Sequence, residues 1–286
     1  VGIDSPQRTD GLSVTAMWGV DADMPSAQYI IMHRDRIWVL NWASFKSTIA
    51  WSNLGNANAW AATGNKLNFD VNDGGEGKGL AKNNDNLIVL KSTGIWAVTG
   101  YPEDDTSGDI SKIFITSEGC IASRTIDYKS KYGVFYFAND FTVKLLSGMT
   151  TRTISDKLDY YIKEDLNRNY TKNCCGIFHD GEYRFAFTSI SGGKDYNDTE
   201  LVFDIESGRC RINKGVNISC YFIGSSESDV FDLLYGTSND GYVIKMDEDT
   251  YSGYESENIQ LVVRTKWHGF AGAVGHPERA KNWYKM

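Results

Sequence analysis

The sequence predicts an all-β fold, and within that class a β-propeller of about five four-stranded blades with one short inserted helix. Five apolar strands recur at near-constant spacing, and each is followed within a few residues by a partner strand. The leading strand of each pair is also apolar on consecutive residues instead of alternating. Continuous apolar runs of this length are expected where a strand is buried on both faces. Two paired strands in every unit of about 49 residues leave room for two more, and four antiparallel strands per 40–50 residues is the pattern of a propeller blade.

The leading strands are Ile37–Leu40 after Arg34-Asp35-Arg36, Leu87–Leu90 after Asn84-Asp85-Asn86, Val134–Phe137 after Tyr132-Gly133, Tyr183–Phe187 after His179-Asp180-Gly181, and Asp232–Gly236 after Glu227-Ser228-Asp229. Their starts at 37, 87, 134, 183 and 232 are 50, 47, 49 and 49 residues apart. The partners are Thr48–Ser52, Gly94–Gly100, Phe141–Leu146, Leu201–Ile205 and Gly241–Met246. Connections such as Lys91-Ser92-Thr93-Gly94, Ala138-Asn139-Asp140 and Ser238-Asn239-Asp240-Gly241 carry Asn, Asp and Gly, which tolerate the positive φ of tight hairpins.

A lone four-stranded sheet has two apolar faces and cannot cover both, whereas blades stacked face to face cover each other. Trp38, Trp96, Phe135, Phe185 and Tyr235 are therefore expected to fill the spaces between blades, each burying on the order of 150–250 Å². One segment breaks the β pattern. Leu158, Tyr161, Ile162 and Leu166 share a helical face, with Ser155 as expected N-cap and Asp156 and Asp159 in the first turn. This predicts a helix over about 155–167, lying across the propeller edge or docked on a neighbour.

The whole chain, 1–286, is expected to be one propeller domain: a lead-in over 1–29, repeated blades over 30–265, and a strand over 266–286 leading to a further domain. The opening Val1-Gly2-Ile3-Asp4 lacks the apolar stretch of a signal peptide, and no run of about 18 apolar residues could span a bilayer. With no initiator Met and a last stretch ending at Lys285-Met286, both ends read as cuts in a longer polypeptide.

A net charge of −8 argues against binding nucleic acid through clustered Lys and Arg. It is compatible with DNA passing close by, because a negative wall repels phosphate. The five cysteines, Cys120, Cys174, Cys175, Cys210 and Cys220, are odd in number and show no CxxC spacing, so buried free thiols are expected. The four histidines, His33, His179, His268 and His276, form no HExxH or HxH pair. Neither a GxSxG elbow nor a Walker A loop occurs. The glycine-rich Asn72–Gly79 stretch with Asp70 and Asp73 lacks the Glu that closes a calcium loop, and reads as an inter-strand turn.

Five-bladed glycosidases place paired carboxylates near their axis. Here Asp35, Asp85 and Asp180 hold matching places in three units, but all three lie in turns that favour Asp for backbone reasons. A catalytic set should break the repeat, and these follow it. No catalytic, cofactor-binding or metal-ligating residue is nominated, and no cofactor is expected.

Four ordered phrases resemble a group of tailed-bacteriophage tail and head–tail connector proteins, among them tail nozzle and DNA-stabilisation proteins. They are Ile49–Asn53 followed by Asn58-Ala59-Trp60; Asp85–Gly100; Glu118–Ser123 followed by Val134–Phe137; and Leu234–Val243 leading to Arg264-Thr265-Lys266-Trp267. The resemblance spans roughly 30–285. It implies a non-enzymatic virion protein made in the host cytoplasm. Such a protein assembles as a homo-oligomeric ring with other virion proteins around or beside the DNA path, without sequence-specific DNA binding. Two other readings stay open: a carbohydrate-binding or glycoside-hydrolysing propeller, and a host-receptor module on the particle, which exposed Trp and Tyr clustered on one face would favour.

Overall fold

The computed structural model describes residues 7–9, 14–16, 25–43, 45–60, 65–104, 108–225 and 233–246, all within one compact unit, Val1–Asp247. Arg264–Trp267, His268, His276 and the strand expected over 266–286 lie outside the described residues. The lead-in holds a two-stranded hairpin, β1 (Gln7–Thr9) with β2 (Val14–Ala16).

Five antiparallel sheets follow in chain order. The first contains β3 (Tyr29–His33), β4 (Arg36–Trp42) and β5 (Phe45–Asn53), with its fourth position shared by β6 (Asn56–Trp60) and β7 (Lys66–Asn68). The second is β8 (Gly77–Asn83), β9 (Asn86–Lys91), β10 (Ile95–Thr99) and β11 (Ser111–Thr116). The third is β12 (Asp127–Lys129), β13 (Gly133–Phe137), β14 (Val143–Ser147) and β15 (Thr150–Thr153). The fourth is β16 (Cys175–His179), β17 (Glu182–Phe187), β18 (Asn197–Asp204) and β19 (Cys210–Ile218). Three described strands make the fifth: β20 (Cys220–Gly224), β21 (Leu233–Thr237) and β22 (Val243–Lys245).

Each sheet is a meander in sequence order, and successive first strands pack side by side: β3 on β8, β8 on β12, β12 on β16 and β16 on β20. This row of inner strands with sheets radiating outward is a β-propeller of five blades. The recurring strand pairs in the sequence are the second and third strands of each blade. Their double-sided burial explains why they stand out: every residue of β13 is buried, as are all but one in β4 and β9.

The spaces between blades are filled in the expected way for four of the five aromatic residues. Trp38 and Trp96 belong to the core cluster between the first two blades, and Phe135 and Phe185 to the one between the third and fourth. Tyr235 differs, being only half-buried and stacked on Phe222 at 5.1 Å. Its register places it on the face of the fifth sheet opposite Gly236, which packs on Ile218 of β19.

The helix α1 runs over Asp159–Asp165, followed by a 3-10 segment at Arg168–Asn173. It is shorter than the expected 155–167 because the N-cap is Leu158, not Ser155. Ser155 instead accepts from Val143 N–H and donates its hydroxyl to Asp159, anchoring the turn before the helix. One face of α1 docks on the aromatic layer between the third and fourth blades through Leu158, Ile162 and Leu166, while Tyr160 is exposed.

Candidate functional site

The residues weighed from sequence land largely in scaffold roles. Asp35 (φ 54°) follows Arg34 (φ 50°) in the β3–β4 turn, and Asp180 (φ 44°) precedes Gly181 (φ 82°) in the β16–β17 turn. Asp85 sits beside Asn84 (φ 55°) at the equivalent β8–β9 turn. All three turns connect the first and second strands of a blade; two of them hold successive positive φ values, which match the strand twist, and the third holds one at Asn84. All five cysteines are free; Cys120, Cys174 and Cys175 are buried, while Cys210 and Cys220 are half-buried. Burial pushes the Cys120 thiol up to about 12 and raises Cys174 and Cys175 as well, so the nucleophilic thiolate is suppressed. The five described tryptophans, Trp38, Trp42, Trp51, Trp60 and Trp96, are all buried. No cluster of ligating side chains suited to a metal ion occurs among the described residues, and no helix there is long and apolar enough to cross a membrane.

The glycine-rich turn before β8 holds a cation of the chain's own. Lys91, fully buried at the end of β9, donates to Phe69 O (2.8 Å), Asp70 O (3.0 Å) and both Asp73 carboxylate oxygens (2.8 and 2.9 Å). Its ammonium also lies 5.2 Å from the Trp96 ring centroid. Thr93 and Gly75 N–H complete the shell of Asp73. Similar buried charges stitch other places. Lys144 bonds Glu118 and Asp140, each at 3.0 Å, and Arg36 bonds Asp104 at 2.7 Å. Between the fourth and fifth blades, Glu200 (1% exposed) accepts from Tyr221 and Asn213, with Arg184 3.6 Å away. A lone charge inside or closing an apolar run, as in Leu87–Lys91 or Val143–Leu146, is the sequence signal for such a buried pair.

Neighbouring blades are clasped in a repeated way. The β3–β4 turn holds the β10–β11 connection, Arg34 donating to Gly100 O and Arg36 to Pro102 O. Asn83, ahead of the β8–β9 turn, donates to Gly148 O in the β14–β15 turn. Lys131 and Tyr132 in the β12–β13 turn bond Glu206 in the β18–β19 turn. A 3-10 turn at Ser123–Thr125 ties more distant blades: Ser123 shares a 2.6 Å hydrogen bond with Tyr29 of β3, Arg124 reaches Ser219 O beside β20, and Thr125 O accepts from Tyr183 of β17.

One concavity departs from the repeat. The connection between second and third strands spans 43–44, 92–94 and 138–142 in the first three blades, but 188–196 in the fourth. Ser189 closes the base of this loop, its N–H and hydroxyl both donating to Asp198 at 2.7 Å. Ser191 ties the outer side, its N–H and hydroxyl both donating to Asp165 at the end of α1 at 2.8 Å. Gly192 is required here because a Cβ would stand 1.5 Å from an Asp198 oxygen. Opposite, a register shift in the β18–β19 pairing leaves 215–217 as a bulge, with Gly215 at φ 78°. Between loop and bulge lies a cleft of about 270 Å³, with Ser191, Lys194 and Tyr196 on one wall and Thr199, Lys214 and Val216 on the other.

The titratable groups set the pH response. Burial works against ionisation of Asp73, Asp140 and Asp165, but hydrogen bonds and lysine charges outweigh it and hold all three below the usual carboxylate range. Burial, then the nearby Arg34 and Lys82 charges, lowers His33. Burial raises Asp127. Depressed groups contribute stability above their unfolded pKa, about 3.9 for Asp and 6.5 for His, and lose it as pH falls through the folded value. Asp127 acts oppositely, costing stability as pH rises through its folded value. Urea titrations are therefore expected to show a shallow loss as pH falls below about 6.5 and a steeper loss below about pH 4, with Asp127 opposing the acid loss. His33→Asn should flatten the upper step; stability rising steadily down to pH 3.5 would contradict the assignment.

No protein-family model and no curated protein matches the chain. Among solved structures it is similar to BamB from Moraxella catarrhalis, with 12% identity, a TM-score of 0.47, and 86% of this chain and 66% of that chain covered. It is likewise similar to the N-terminal domain of Nup159, with 10% identity, a TM-score of 0.46, and coverages of 88% and 66%. The chain thus spans just under two thirds of the length of each.

Proposed function

We propose that this chain is a structural component of a phage virion, a propeller module of the tail or head–tail connector that assembles with copies of itself and with other virion proteins. The observation that carries the reading is where the four phage-like phrases lie. Ile49–Asn53 is in β5, Asp85–Gly100 covers β9 and β10, Glu118–Ser123 leads into the blade of β13, and Leu234–Val243 covers β21 to the start of β22. The phrases thus fall, in order, on the first, second, third and fifth blades. The use of buried charges as ties between and within blades suits a rigid building block, and the net charge of −8 would let a duplex pass without adhering.

Peptide mass spectrometry and electron microscopy of purified virions test this. The chain is expected at a fixed copy number per particle, with the propeller in a ring on the tail axis. Absence from purified particles would end the proposal.

A further inference from the structure

The outermost strand of a blade leaves one row of backbone N–H and C=O groups unpaired, and such an edge invites pairing with another chain unless it is short, bulged or charged. The described outer strands of three blades are protected in these ways. In the first blade β7 is three residues long and carries Lys66, and β15 of the third reads Thr150-Thr151-Arg152-Thr153. In the fourth, β19 carries Arg211, Lys214 and the bulge at 215–217. β11 of the second blade is the exception. It pairs with β10 alone, no described strand lies beyond it, and Ile113 and Phe114 are 43% and 55% exposed. Its one charge does not guard the edge. The Lys112 ammonium turns back onto the first blade, donating to Asn68 O at 2.8 Å and lying 5.8 Å from the Phe69 ring centroid.

We infer that β11 is a self-pairing edge, which joins two copies of this chain antiparallel about Phe114 into one continuous sheet.

The strand selects a second copy of itself because its pattern is the same in both directions. Lys112-Ile113-Phe114-Ile115-Thr116 has an isoleucine on each side of the ring and a polar residue beyond each isoleucine. A two-fold interface requires a surface complementary to itself. The axis stands perpendicular to the shared sheet, so each side chain meets one from the same face. Phe114 then lies opposite Phe114, Ile113 opposite Ile115, and Lys112 opposite Thr116. Apolar residues meet apolar ones, the two rings form a cross-strand aromatic pair, and no two lysines stand opposite each other. Phe114 is already held for this role: its ring packs on Trp96 with centroids 5.2 Å apart, and more than half of it is still exposed. An unrelated extended segment would gain the backbone bonds without this matching of ends. The pairing does not rest on the virion reading, and absence of the chain from virions would leave it intact.

Sedimentation velocity and hydrogen exchange, each over a series of chain concentrations, test the assignment. A monomer–dimer equilibrium is expected, with the amides of 111–116 protected in the dimer and released on dilution. Phe114→Lys sets like charges directly opposite and is expected to abolish the dimer. Thr116→Lys does the same against Lys112 and should weaken the dimer about tenfold. Adding Lys112→Glu to Thr116→Lys turns each clash into an opposite-charge pair and should restore the dimer, which a misfolded Thr116→Lys chain would not allow. The proposal is overturned if the chain is monomeric at every concentration, if a dimer leaves 111–116 unprotected, or if the double variant dimerises no better than Thr116→Lys. Protection of this edge only on adding another virion protein would likewise overturn it.

Discussion

Asp73→Ala is expected to lower stability by about 3 kcal/mol, which corresponds to a fall of about 5 °C in Tm for a chain of this size. The substitution strips the carboxylate from an ammonium with no exposed surface, leaving Lys91 with two carbonyls and the face of Trp96. The cost lies at the low end for a broken buried pair because Asp73 is 28% exposed, so water can take part of the carboxylate's place. Lys91→Met in the same background removes the stranded charge and should recover much of the loss, since an apolar replacement of both partners avoids desolvation altogether. Thermal melts of the single and double variants decide the matter. A single variant within about 1 °C of the parent, or a double variant no better than the single, would show that the pair does not hold the turn before β8.

The second large effect is expected at the aromatic layer between the third and fourth blades. Phe135 is fully buried and stacks on Tyr183 at 4.7 Å with planes 10° apart, and on Phe178 at 5.3 Å. Phe135→Ala removes this ring from an interface that also takes in α1, and should cost about 3–5 kcal/mol in urea denaturation. Phe135→Leu keeps most of the volume and should cost clearly less. Tyr235→Ala is the internal reference, because this half-buried ring lies on the face of the fifth sheet turned away from β19, and its loss should cost about 1 kcal/mol or less. If Phe135→Ala and Tyr235→Ala fall within about 1 kcal/mol of each other, the stacking of blades is not the main source of stability.

The second and third strands of the first four blades were legible because they are sandwiched between neighbours and buried along nearly their whole length; in the fifth blade burial alternates along β21 and is lost in β22. The outer strands were not legible. β11 exposes Ile113 and Phe114, and β15 reads Thr150-Thr151-Arg152-Thr153, which carries no apolar pattern. An edge strand with one side in solvent needs only its backbone partner, so its composition is nearly free. The boundary of α1 was misjudged because Ser155 has the chemistry of an N-cap but is engaged by Val143 of β14, a contact made through space. The turns at Asp35, Asp85 and Asp180 were legible, since positive φ is a local demand that Asp, Asn and Gly answer.

By itself, then, the sequence determined the all-β class, the five-fold spacing and the aromatic filling between the first and second and between the third and fourth blades. Those features follow from patterns confined to a few neighbouring residues. Only the tertiary structure decided which charges are buried and what meets them. Lys91 finds Asp73 eighteen positions away across a turn, Glu200 finds Tyr221 in the next blade, and the cleft exists because a loop after β17 faces a bulge in β19. The energy of a charge depends on its surroundings in space, and only chain folding brings those surroundings together.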